Sequence, residues 1–184
     1  GGASNKPVVV RNSTFNGNFG PGLGINSLSS VTLSSVTASY NYIGGCTIDN
    51  SSGTALSPVT VTSSTFDSNQ AVSGLEIDSR GTVTLTTVNA SGNAFGRGVQ
   101  IDNAKDTAHP VNVSFTCPGN ECLLQTNNDY GLDVNSYGSI TISGVNVLGN
   151  NLSGAYLRNA AALDSSPKNV TVSNSTFGKN LTSF

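Results

Sequence analysis

Three aspartates, Asp49, Asp78 and Asp102, close the same recurring unit, a glycine followed by apolar-x-apolar and an acid. Asn26 and Asn135 take that place in the flanking units, and Glu76 and Asp133 stand two residues earlier in theirs. If successive units stack as strands, their oxygens recur about every 4.8 Å. Hard oxygen donors so arranged are what Ca²⁺ takes, so calcium is the one cofactor the sequence raises. Asp and Asn are also favoured turn residues at strand ends, and turn chemistry is the simpler account of the row. The basic residues Arg80, Arg97 and Arg158 each sit in a different context and read as solvated surface charge. His109 stands alone before Pro110, with no Ser or Cys nucleophile recognisably paired to it, so no catalytic residue is assigned.

A second ladder is hydroxylic. Thr32, Thr60, Thr84, Thr141 and Thr171 follow successive strand starts, with Asn112 between Thr84 and Thr141. A parallel row reads Ser34, Thr62, Thr86, Ser114, Ser143 and Ser173. Such Thr-x-Thr rows on a flat β-solenoid resemble ice-binding surfaces. Thr is equally the natural polar β-former on a wet strand face, and Asn112 and Arg11 break the uniformity. Cys117 and Cys122 bracket Pro118-Gly119-Asn120-Glu121, a turn sequence able to close a local disulfide. Cys46 falls on an inward repeat position and reads as a buried, inert thiol. Tyr156 is the one tyrosine at an outward repeat position.

The elements that would position these residues repeat. An apolar-x-apolar start recurs at Val8, Val31, Val59, Val83, Val111, Ile140 and Val170, at intervals of 23 to 30 residues. Ten residues after the starts stand Asn18, Asn41, Asn69, Asn93, Asn150 and Asn180; the cysteine-bearing coil breaks the rule, with Asn120 one position early. Asn tolerates the left-handed backbone of a sharp corner, and stacked amides hydrogen-bond to one another, so a structural Asn ladder is expected. Between start and Asn lies a pair of inward positions that trade size: Ser13/Phe15, Ser64/Phe66 and Ser175/Phe177 against Val36/Ala38, Val88/Ala90 and Val145/Val147. Roughly constant volume per coil is what a narrow close-packed interior demands. These period-2 segments predict an all-β fold of about seven coils of three short strands, one β-helix domain spanning residues 1–184.

In these motifs the chain resembles the right-handed parallel β-helix families, which include pectate-lyase-like enzymes and the extended repeats of secreted bacterial surface and adhesin proteins. The resemblance runs from about Val8 to Asn180. It implies a secreted or cell-surface protein and an extracellular structural or adhesive role, with polysaccharide as a partner. It also implies the alternative of a polysaccharide-acting enzyme or carbohydrate-binding module, which would need Asp49, Asp78, Asp102 and an arginine to converge in a groove. A formal charge of −2 with scattered Lys and Arg gives no footprint for nucleic acid. No apolar run approaches the ~20 residues of a membrane-spanning helix. No signal-peptide pattern or initiator Met is present, as in a mature product or an excised piece. Neither end reads as a cap, so the expectation is a segment of a longer solenoid or a subunit stacking end to end with its own copies.

Overall fold

The computed structural model describes residues 6–159 and 168–181. Alternating Val, Ile, Leu and Thr make short strands: β1 (Val8–Thr14), β2 (Leu23–Asn26), β3 (Val31–Thr37), β4 (Cys46–Asn50), β5 (Val59–Thr65), β6 (Leu75–Ser79), β7 (Val83–Asn89) and β8 (Val99–Asp102). They continue as β9 (Val113–Thr116), β10 (Cys122–Gln125), β11 (Leu132–Asn135), β12 (Ile140–Ser143), β13 (Val145–Leu148), β14 (Ala155–Arg158), β15 (Val170–Ser173) and β16 (Thr176–Gly178). Strands β1, β3, β5, β7, β9, β12 and β15 form a seven-stranded sheet, β2, β4, β6, β8, β11 and β14 a six-stranded sheet, and β10, β13 and β16 a three-stranded one. Each recorded pairing is parallel, so the chain climbs one rung per coil as a parallel β-helix.

The chain passes seven times through the first sheet and six times through the second, which makes about six turns rather than the expected seven. The three-strand coil also needs amending. In β1, β3, β5 and β7 the first and second short strands run on as one seven-residue strand, bent at Asn12, Ser35, Ser63 and Thr87, whose φ angles of 47° to 54° are left-handed. A second left-handed corner falls at Gly17, Tyr40, Ser68, Gly92, Thr126, Gly149 and Lys179, in each case the residue before a ladder asparagine. The ladder asparagines themselves are not the left-handed residues; their work is done by the side chain.

That work is a continuous chain of amides. The Nδ2 of Asn18, Asn41, Asn69, Asn93, Asn127 and Asn150 each donates to the Oδ1 of the next, ending at Asn180, over 2.8 to 3.1 Å. Each accepting Oδ1 also takes the backbone N–H of the preceding asparagine. Most of these residues are fully buried, where an unmet amide costs about 1–3 kcal/mol. The glycine heading each six-stranded-sheet strand lies beside the ladder. A Cβ at Gly98 would stand 2.8 Å from Asn127 Nδ2 and 2.5 Å from Gly131 O, so no side chain fits there.

Asn127, not Asn120, carries the ladder through the fifth coil, and the reason is the cysteine pair. Thr116 and Ser143 are register partners, as are Cys122 and Val145. The single residue Gly144 between Ser143 and Val145 therefore stands opposite five residues, Cys117 to Glu121. The four extra residues bulge out of the coil, and the Cys117–Cys122 disulfide closes them off with the Cα atoms 5.8 Å apart. The same coil starts at Val113 rather than Val111, since Val83 pairs with Val113 and Leu85 with Phe115. The sequence Val111-Asn112-Val113-Ser114-Phe115 permits either frame, and the one that buries Phe115 removes the larger side chain from water.

Along the interior Val31, Leu33, Val59, Val61, Val83, Leu85, Val113, Phe115, Ile140 and Ile142 form one buried double row. Each such side chain contributes about 1.5–3 kcal/mol on burial. Where Phe66 fills the next inward position its partner is Ser64, whose hydroxyl accepts the Val36 N–H and donates to Thr62 O, so the small polar residue is satisfied. Cys46 is likewise buried, and burial pushes its thiol up to about 12. Among the described residues no helix is long and apolar enough to cross a membrane.

Candidate functional site

The outward side chains of the six-stranded sheet carry most of the chemistry. One column reads Gly24, Thr47, Glu76, Gln100, Asp133 and Tyr156; the next reads Asn26, Asp49, Asp78, Asp102, Asn135 and Arg158. Strand register thus brings Asp49, Asp78 and Asp102 side by side. The cation that meets them is Lys105, from the loop after β8. Its Nζ lies 3.1 Å from Asp78 and is also bonded to Asp102. Asp49 instead accepts the hydroxyl and backbone N–H of Ser51, and these bonds hold its carboxyl below the usual range. Among the described residues no arginine pairs with Asp49, Asp78 or Asp102, and no three His, Cys, Asp or Glu side chains converge as a metal donor set.

The arginines converge one column over. Arg97, at the corner before β8, reaches both Asp129 and Asp133 at 3.3 Å, and Arg158 reaches Asp133 at 3.2 Å. Burial pushes the Asp133 carboxyl up, against the pull of the two guanidiniums. Arg97 also donates to Gln100 Oε1. Above them Tyr130 and Tyr156 stack with ring centroids 5.4 Å apart and planes within 15°, close to the rise of one coil. Arg97 lies 5.8 Å from the Tyr130 ring and Arg158 4.9 Å from that of Tyr156, within cation–π range. Arg80 pairs with Asp106, holding that carboxyl down at about 2, and His109 Nδ1 lies 3.2 Å from the same acid. Arg80, Arg97 and Arg158 are thus each paired with an acid while their side chains stay 28%, 28% and 45% exposed.

Beside this cluster the corner loops wall a hollow of about 210 Å³, floored by Glu76 and Gln100 and edged by Val72, Phe95, Arg97 and Asp129. Phe95 is 72% exposed at its rim. Burial first, and then the neighbouring Asp78, push the Glu76 carboxyl up. The larger hollow, about 610 Å³, lies beside the disulfide-closed bulge and is lined by Thr116, Pro118, Asn120, Ser143 and Asn174 without a titratable group.

Tyr130, Asp129 and Phe95 sit in corner loops of unequal length, where no period marks them, and of the three only Tyr130 is suggested by the sequence, as one of five tyrosines able to stack on sugars. Their signal was an aromatic or acidic residue shortly before the strand glycine. On the seven-stranded sheet the hydroxyl rows gain in regularity, because the shifted register replaces Asn112 by Ser114 in the first row and Ser114 by Thr116 in the second.

No family model matches the chain, and neither a curated protein nor a solved structure matches it.

Proposed function

We propose that the chain is an extracellular structural and adhesive β-helix that holds a polysaccharide along its six-stranded sheet. The observation that carries this reading is the trough formed by the hollow lined by Phe95, Arg97 and Gln100 together with the adjoining cluster of Asp133, Tyr130 and Tyr156. Planar polar groups that bridge neighbouring sugar hydroxyls stand there beside aromatic carbon surface. The coil rise of about 4.8 Å is close to the length of one sugar unit, so a chain lying along the axis sets successive sugars against successive rungs. The hollow is open and smaller than an enclosed small-molecule pocket, as suits one subsite of a polymer. The Cys117–Cys122 disulfide is consistent with an oxidising, extracellular setting. The charge balance at the site, Arg97 and Arg158 against Asp129 and Asp133, favours neutral over acidic sugars.

Calorimetry with neutral oligosaccharides of increasing length tests the proposal. Affinity should rise with length up to several units, and Arg97→Ala and Tyr156→Ala should each weaken it about tenfold. Affinity independent of length, or unchanged in both variants, would overturn it. A fibre built of copies stacked end to end is the extended form of the same role. The inward row, buried in the middle coils, is exposed at Val170, Val172 and Phe177, where either a further coil of a longer β-helix or a second copy would supply the next rung. Light scattering over a concentration series should then show mass growing, whereas constant mass removes the stacking.

A further inference from the structure

The seven-stranded sheet presents a different surface. Its outward columns read Thr32, Thr60, Thr84, Ser114, Thr141, Thr171 and Ser34, Thr62, Thr86, Thr116, Ser143, Ser173 in unbroken register. Arg11, in β1, is the one charged residue in the sheet's seven strands. Most of the hydroxyls are unclaimed by the protein: Thr62 Oγ1 donates to Leu33 O at 3.4 Å and Ser173 to Ser143 at 3.1 Å, while the first column makes no hydrogen bond among the described residues. The six-stranded sheet of the same solenoid, at the same pitch, is strewn with carboxylates and their cations. Solubility alone therefore does not dictate an uncharged face.

The spacing is that of a lattice. Hydroxyls recur about every 4.8 Å along the axis and, two residues apart, about every 6.6 Å along each strand. The axial repeat approximates the shorter repeat of water oxygens on the prism faces of hexagonal ice, and the strand repeat lies somewhat below the longer one. A β-branched Thr is stiff at χ1, so a row of them holds hydroxyl and methyl in fixed places and loses little freedom on meeting an ordered layer. Charged side chains, which disrupt ordered water by drawing their own shells, are missing where the rows run. We infer that this face binds ice through the two hydroxyl columns of β3, β5, β7, β9, β12 and β15. The inference is independent of the polysaccharide reading, since it uses the other sheet.

The test is ice-affinity partition of the fluorescently labelled chain, with thermal hysteresis measured on the same samples. The intact protein should enter growing ice and shape its crystals. Thr60→Lys with Thr84→Lys should cut partition about tenfold, while Thr47→Lys on the six-stranded sheet should leave it unchanged. Thr60→Val with Thr84→Val keeps the branched shape and strand preference, and so reads out the hydroxyls if the lysine pair fails to fold. Exclusion of the intact protein from ice at all concentrations would overturn the inference. So would equal partition of the folded lysine variant, or loss in Thr47→Lys as large as in the pair.

Discussion

The seven-stranded and six-stranded sheets share one pitch and each turns its own apolar row into the core, and they differ in what they offer to water. On the first, outward positions repeat one chemistry, the hydroxyl, and leave it largely unbonded. On the second they vary from coil to coil, and the acids Asp78, Asp102 and Asp133 are tied to Lys105, Arg97 and Arg158. A solenoid fixes where side chains stand without fixing what they are. A uniform face suits an extended, periodic partner, and a varied one suits a ligand gripped at particular rungs.

The largest expected effect tests what the two faces share. Asn69 accepts two donors from Asn41 and gives its own amide to Asn93 and Ala38, all buried. Asn69→Ala strands those partners and should cost about 4 kcal/mol in urea unfolding. Because the ladder holds the common pitch, both faces should weaken together; loss confined to one sheet would mean that the sheets are held independently.

A smaller effect belongs to the seven-stranded sheet alone. Thr87 holds a φ of 53°, a conformation its β-branched side chain resists. Thr87→Gly should raise the unfolding free energy by about 1 kcal/mol without altering the trough, and no gain would show that the bend is not strained.

The smallest belongs to the six-stranded sheet and depends on pH. The Glu76 carboxyl is raised above its ordinary value, so the folded state disfavours its ionised form. That penalty is present above the raised value and relieved as pH falls through it toward the unfolded value. Stability should therefore rise slightly as pH is lowered from neutral, and Glu76→Gln should remove that share of the slope. Half exposed, the group is worth less than about 1 kcal/mol. A slope unchanged in Glu76→Gln would assign the effect to Asp67 or Asp133, which burial also raises. Ice partition, read on a sheet without titrating groups beyond β1, should be flat over the same range.

Much of the architecture was legible in the sequence because a solenoid writes its interior as a period. The start residues, the Ser64/Phe66 and Val36/Ala38 size trade and the glycine before each six-stranded-sheet strand all follow from one narrow core. Legibility failed where the period was interrupted. Val111-Asn112-Val113-Ser114-Phe115 holds two valid frames, and only the volume opposite Leu85 and Ile142 chooses between them. Asn120 lay close enough to the expected spacing to mask Asn127, which four inserted residues had displaced. The trough was half visible: Asp133, Tyr156 and Arg158 stand on strands and could be aligned, whereas Arg97, Asp129 and Tyr130 reach it from loops whose paths only three dimensions reveal.

The disulfide-closed bulge has a consequence for how such a chain can change. Cys117 and Cys122 return the backbone to the coil at fixed points, and beyond the ladder neither the register of β9 with β12 nor that of β10 with β13 records that four residues have been added. The closure cost of a loop grows only slowly with its length. The bridge thus acts as a socket: sequence between the two cysteines can be exchanged or lengthened while the rungs above and below stay in step, and new surface can be tried there without risk to the rod.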